Sequence, residues 1–267
     1  MKILVPSDFS APSMEATKVA LKIASQTNGE VIIAHMILIP LEFNAIAVRD
    51  RETDAQKKYD TLKHDIDLHD VKVTLRIIYG EITSSAKIII ETENVELVVM
   101  GTKGDSGLHE ILIGSNTEKM VRHSPVPVLA VRTSFELGSI KRILVPTTLA
   151  LNQPKFMEYV KELQKLFHAS LDILLINTPS HFRDYDQSIA DMKKFASHYA
   201  LTDYTLHVKD YNIEDGGIID FAEHEKTDML VMGTHARKGL AHLFNGSITE
   251  NVVNRLNYPV WTYTLEK

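Results

Sequence analysis

The chain repeats itself, and the repeat fixes its organisation before any secondary structure is assigned. Lys2-Ile3-Leu4-Val5-Pro6 returns as Arg142-Ile143-Leu144-Val145-Pro146, and Leu97-Val98-Val99-Met100-Gly101-Thr102 returns as Met229-Leu230-Val231-Met232-Gly233-Thr234. The first pair is offset by 140 residues and the second by 132, so the second copy lacks eight residues between them. Loops absorb such changes cheaply, and the stretch from Pro40 to Arg51 is longer than that from Pro179 to Asp186, which places the deletion after the second strand. The mixed segment from Thr133 to Ser139 separates an apolar stretch from the opening strand of copy two. It divides the 267 residues into domains 1–137 and 138–267, each of ordinary size.

Within each copy, short runs of Val, Ile and Leu alternate with longer stretches of helical period, the pattern of βαβ units around a parallel sheet. Strands are expected near Ile3–Val5, Val31–Ile37, Val73–Ile78, Leu97–Met100 and Val126–Val131. The second set falls near Ile143–Val145, Asp172–Ile176, Tyr204–Val208, Met229–Met232 and Val260–Tyr263. Val19, Ala20, Ile23 and Ala24 make one helical face behind a start at Ser10 and Pro12. Right-handed crossovers place helices on both sides of each sheet. The predicted fold is α/β: two tandem Rossmann-like domains, each with a five-stranded parallel sheet.

Composition and motifs exclude several classes. Cysteine is absent, which removes disulfide scaffolds, thiolate zinc sites and Cys nucleophiles. A formal net charge of −6 lacks the basic excess of a general nucleic-acid binder. The N-terminal residues carry no secretory pattern, and the apolar runs that close at Pro40 fall short of the roughly 20 residues of a membrane span. The expectation is a cytoplasmic protein with neither membrane nor nucleic-acid partners. No Gly-x-x-x-x-Gly-Lys-Ser/Thr occurs, as a P-loop NTPase requires, and no glycine lies between Met1 and Asn28 to open a dinucleotide loop. Pro6-Ser7-Asp8-Phe9-Ser10 matches neither the Ser-Gly-Gly-x-Asp-Ser loop nor the His-x-Gly-His motif of adenylating enzymes. His109, His235 and His242 fall in the glycine loops without ligand spacing on one helical face, so no metal site is expected. Trp261, in the last strand, is expected to be buried between the halves.

Ligands of open α/β sheets bind beyond the carboxyl ends of the strands, where the strand order reverses. Two segments of copy one have that address. Pro6-Ser7-Asp8-Phe9-Ser10 hangs a carboxylate near a helix start. Gly101-Thr102-Lys103-Gly104 is followed after nine residues by Gly114-Ser115-Asn116-Thr117 and a helical stretch, where glycines admit close backbone approach and free amides favour an anion.

These residues resemble the universal stress protein family, as two fused copies of its domain. Gly101, Gly104, Gly114 and Ser115 reproduce the Gly, two residues, Gly, nine residues, Gly-Ser spacing of the family's nucleotide-binding members. The resemblance implies a fold of the adenine nucleotide alpha hydrolase-like kind and ATP or another adenine nucleotide as ligand. It implies that Asp8 and the Pro6 main chain, with Ser7 beside them, hold the adenosine end, and that the main chain near Met36 meets the adenine. Gly101 and Gly104, flanked by Met100 and Thr102, would line the path to phosphates resting on Gly114, Ser115, Asn116 and Thr117, with Mg²⁺ an optional companion. It further implies a stress-response regulator, at most a slow ATPase, with no catalytic residue assigned. The last strands of the halves would pair in an intramolecular pseudo-dimer that docks unidentified protein partners and is free to form a further homodimer. The family also offers a nucleotide-independent interaction module as the alternative.

Copy two departs from the pattern. Thr148 stands where Asp8 stands and Ala236 where Gly104 stands, while Gly233, Gly246, Ser247 and Thr249 remain. Without the carboxylate the ribose anchor is gone, so copy two is expected to keep at most a weak anion site.

Overall fold

The computed structural model describes residues 1–37, 45–102, 115–235, 248–255 and 257–265. The chain divides into two compact units, Met1–Glu136 and Leu137–Lys267. In the first unit the elements run β1 (Lys2–Pro6), α1 (Ala11–Gln26), β2 (Glu30–Ile37), α2 (Ala45–Asp65), β3 (Lys72–Tyr79), α3 (Ile82–Glu93), β4 (Leu97–Gly101), α4 (Ser115–His123) and β5 (Val128–Val131). The second runs β6 (Arg142–Pro146), α5 (Pro154–Phe167), β7 (Ser170–Asn177), α6 (Tyr185–His198), β8 (Tyr204–Asp210), α7 (Glu214–His224), β9 (Met229–His235), α8 (Ile248–Arg255) and β10 (Val260–Leu265).

Within unit one the strand order is β3-β2-β1-β4-β5, all parallel, and within unit two β8-β7-β6-β9-β10, also parallel. The expected α/β fold is therefore present twice. Ile3, Leu4 and Val5 are fully buried, as are Ile143, Leu144 and Val145, which is why these strands lack polar alternation. In α1, Ala16, Val19, Ala20, Ile23 and Ala24 form the buried stripe, with Ser10 as N-cap and Pro12 in the first turn. On the opposite face, Ile82, Ala86, Ile89 and Ile90 of α3 join Met120 and Val121 of α4 over Leu4, Ile32, Val98 and Met100.

Two expectations need correction. The eight missing residues come mostly out of a helix: β2 to α2 and β7 to α6 are separated by equal stretches, whereas α2 has 21 residues and α6 has 14. A seven-residue change is two turns to within about 20°, so the shortened helix keeps its buried face. The last strand of unit one starts at Val128 rather than Val126, because Pro127 has no N–H to give the ladder; its carbonyl still accepts from Val98 N at 2.9 Å. Trp261 is buried, with Phe156 and Tyr159 of α5 at ring distances of 6.3 and 5.4 Å.

Candidate functional site

In unit one, β1 turns back toward β2 while β4 leads away to β5, so a crevice opens between the carboxyl ends of β1 and β4. Pro6 ends β1. Ser7 N then donates to Ala34 O at 2.9 Å, extending the ladder one step beyond the strand. The Ser7 hydroxyl accepts from Phe9 N at 3.1 Å and donates to Ser13 Oγ at 3.0 Å, and His35 Nδ1 donates to Ser7 O at 2.8 Å. This bonding holds Phe9 at a φ of 61°, a left-handed conformation that a residue with a Cβ adopts rarely. The Phe9 ring lies 5.2 Å from the His35 ring. A shallow groove of about 250 Å³ between α1 and α2 begins at Phe9 and Met14 and continues along Lys57, Lys58, Thr61 and Leu62.

Asp8 is exposed at the mouth of the crevice, and Asp8 Oδ1 accepts from Ser10 N at 3.0 Å. Burial opposes its ionisation, but hydrogen bonds from Ser10 and Ser13 outweigh that effect and hold its carboxyl below the usual carboxylate value. It is thus an anionic acceptor beside a helix N-terminus. Met36 packs its side chain against the cluster that contains Met100. Bonds alternate along a parallel strand, so Met36 turns its amide and carbonyl to the side that Ala34 O uses, toward β1 but past the end of that strand.

Gly101 ends β4 against the first turn of α1: a Cβ there would lie 2.1 Å from Pro12 O and 2.9 Å from Ser13 N. Only a glycine lets that helix start so close to the strand. Thr102 is buried, with its N–H donating to Val131 O at 2.8 Å. Thr117, in the first turn of α4, is buried and donates its hydroxyl to Gly101 O at 3.1 Å, so this hydroxyl ties α4 to β4. Asn116 is exposed, and Ser115 is the first residue of α4. Gly104 and Gly114 lie outside the described residues, as do Gly246 and Ser247, Ala236, His109 and His242. His235 belongs to β9 rather than to the loop after it. Among the described residues no group of three or more His, Asp or Glu is placed to hold a metal ion. No helix among them is long and apolar enough to cross a membrane.

Unit two keeps the first turn of this design and alters the rest. Thr147 N donates to Leu174 O at 2.9 Å, Thr147 Oγ1 accepts from Leu149 N at 2.9 Å, and Leu149 has a φ of 65°. Thr148 supplies no carboxylate. The helix that follows begins at Pro154, one turn later than the repeat offset predicts from Ala11. In the missing turn's place, Tyr199 accepts from Gln153 N and donates to Ala150 O, both at 3.0 Å, while His198 Nε2 bonds Leu151 O at 3.1 Å. Gly233, the counterpart of Gly101, meets Leu265 rather than a helix, with a Cβ there 2.8 Å from Leu265 Cδ1. Thr249 is buried in the first turn of α8.

Sequence reading missed the Ser7–Ser13–His35 support and the Tyr199 clamp. The positive φ at Phe9 and Leu149 leaves no mark in residue type, and Tyr199 sits 46 residues from Gln153. Comparing the copies position by position offered the one available signal, the change of Ser13 to Gln153 and His35 to Leu175.

All-parallel sheets whose strand order reverses between β1 and β4 in one unit and between β6 and β9 in the other define a tandem of doubly wound α/β domains. The model of the universal stress protein family matches the chain twice, over residues 1–132 and 139–263. This chain belongs to the universal stress protein family. It is 28% identical over 138 residues to universal stress protein MJ0531 of Methanocaldococcus jannaschii, a match spanning 49% of this chain and 81% of that one. It is 29% identical over 152 residues to MJ0577 of the same organism, spanning 49% of this chain and 94% of that one. Across both units it is similar in fold to the crystal structure of a universal stress protein from Archaeoglobus fulgidus, with a TM-score of 0.81, 20% identity and 98% of each chain covered.

Proposed function

We propose that unit one binds ATP or another adenine nucleotide at the crevice between β1 and β4, in the cytoplasm, and that occupancy regulates stress-related partners. The observation that carries this reading is Asp8: an exposed, ionised carboxylate fixed beside a helix start at the switch point of the sheet. Its free lone pairs suit the hydroxyls of a ribose. The outward-turned main chain of Met36 offers one donor and one acceptor to an adenine edge, with the Pro6 main chain and Ser7 closing the near side. Gly101, Gly104, Gly114, Ser115, Asn116 and Thr117 supply the phosphate side, Thr117 through its amide because its hydroxyl is committed to Gly101. Mg²⁺ enters only as a counter-ion of the phosphates. The reading assigns no catalytic residue. Unit two, without the carboxylate and with its first helical turn replaced by the Tyr199 clamp, serves as a companion domain.

The test is ligand release from the native protein. Denaturation is expected to liberate an adenine nucleotide identifiable by mass, and ATP at about 100 times its Kd is expected to stabilise the chain by roughly 2.7 kcal/mol. Asp8→Ala should weaken binding about tenfold or more, the loss of one or two hydrogen bonds to a charged acceptor. Thr148→Ala should leave it unchanged. Equal effects of the two substitutions would remove the basis for placing the site in unit one.

A further inference from the structure

Four large apolar side chains are left in solvent where the chain of unit two enters α6 and α7. Phe182, on the connection from β7 into α6, is 71% exposed and Tyr185, the first residue of α6, 62%; Tyr211 is 37% exposed and Ile213 56%, on the connection from β8 into α7. Buried Asn177 binds the two loops together. Its Nδ2 donates to Arg183 O and to Asp210 Oδ1, each at 2.9 Å, its Oδ1 accepts from Arg183 N at 2.8 Å, and its carbonyl accepts from Tyr211 N at 3.0 Å. His181 Nδ1 reaches to 3.9 Å from Glu214 Oε1 across the same junction. The Tyr211 side chain lies on the first turn of α7, where a Cβ on Gly216 would come within 2.7 Å of its ring and one on Gly217 within 3.0 Å of its Cβ. The surface is therefore preformed rather than a pair of loose loops.

Its rim is acidic. Asp184, Asp186 and Asp210 are exposed and Glu214 is half-exposed, while Arg183, the basic side chain among them, is turned to Asp191 at 3.5 Å. Contiguous exposed apolar surface marks an interaction site, and aromatic anchors inside a charged rim select a partner of opposite charge. An acidic rim repels phosphates and anionic lipid, and a second copy of this chain, at a formal charge of −6, is a poor electrostatic match. We propose that this face of unit two docks a cationic segment of a partner protein, one that presents Lys or Arg around apolar side chains.

The test uses the full chain and a fluorescein-labelled synthetic peptide of alternating Lys and Leu. The peptide is expected to bind with an affinity that falls as salt rises. Phe182→Ser with Tyr185→Ser, which leaves every charge in place, should weaken it about tenfold, and Asp186→Asn with Glu214→Gln should flatten the salt dependence. All four residues are at the surface, and unchanged thermal midpoints verify that the variants are folded. Undiminished binding to the double serine variant overturns the proposal, as does equal binding of a peptide of alternating Glu and Leu. Self-association of the chain that disappears in the serine variant also overturns it and assigns the face to a second copy. None of these outcomes depends on whether unit one holds a nucleotide.

Discussion

Gly101 and Gly233 occupy the same place in the repeat and answer to different neighbours. At Gly101 a methyl group meets the Pro12 carbonyl, a backbone atom fixed by α1, whereas at Gly233 it meets the end of the Leu265 side chain. Gly101→Ala is therefore expected to destabilise unit one by about 2 kcal/mol or more, and Gly233→Ala by less than about 1 kcal/mol because Leu265 has rotamers to spare. Chemical denaturation of the two variants measures the difference. Asp172 makes a second contrast, since it stands where Ile32 stands in the first copy and is held by Arg142 Nε at 2.9 Å and His207 Nε2 at 2.8 Å. Burial alone would raise the Asp172 carboxyl, but the hydrogen bonds from His207 and Arg142 prevail and lower it below its ordinary value. A carboxyl lowered on folding stabilises the protein above its unfolded pKa, about 3.9, and that contribution is lost as pH falls through the folded value. Asp172→Ala should cost roughly 3 kcal/mol at pH 7, and the paired change Asp172→Ile with His207→Leu should recover most of it. Unfolding midpoints of this pair should also depend less on pH below about 5 than those of the parent chain.

At the level of elements, the units differ in how each first helix begins. In α1 the start at Ala11 brings Pro12 and Ser13 to the end of β4. In α5 the helix begins a turn later, and Tyr199 from the end of α6 satisfies the backbone groups of the residues left over. Tyr199→Phe strips both hydrogen bonds from a buried hydroxyl site and should lower stability by about 1–3 kcal/mol, read from the denaturation midpoint. Strand positions and the parallel type were legible because Leu97-Val98-Val99-Met100 and its repeat are apolar on both faces, which a buried parallel strand demands. The position of the shortening was not. Period and composition do not separate a helix that loses two whole turns from a loop that loses as many residues, since both leave the flanking strands unchanged. The Asp8 loop was legible as a candidate because a carboxylate after the first strand is a chemical signal. The commitment of the Thr117 hydroxyl to Gly101 was not, because a threonine at a helix start reads the same whether it caps, braces or binds.

For the molecule as a whole, the first copy carries Asp8 and the early helix start, and the second carries the Tyr199 clamp in the corresponding place and exposed aromatics around the loops after β7 and β8. The division of labour we propose puts ligand binding in residues 1–136 and partner contact on residues 178–215. The most direct measurement is titration calorimetry of the full chain, freed of bound ligand, with ATP. One site per chain is predicted, abolished or weakened at least about tenfold by Asp8→Ala and untouched by Thr148→Ala. Two equivalent sites, or a single site that survives Asp8→Ala and vanishes in Thr148→Ala, would contradict the assignment of the cradle to the first copy.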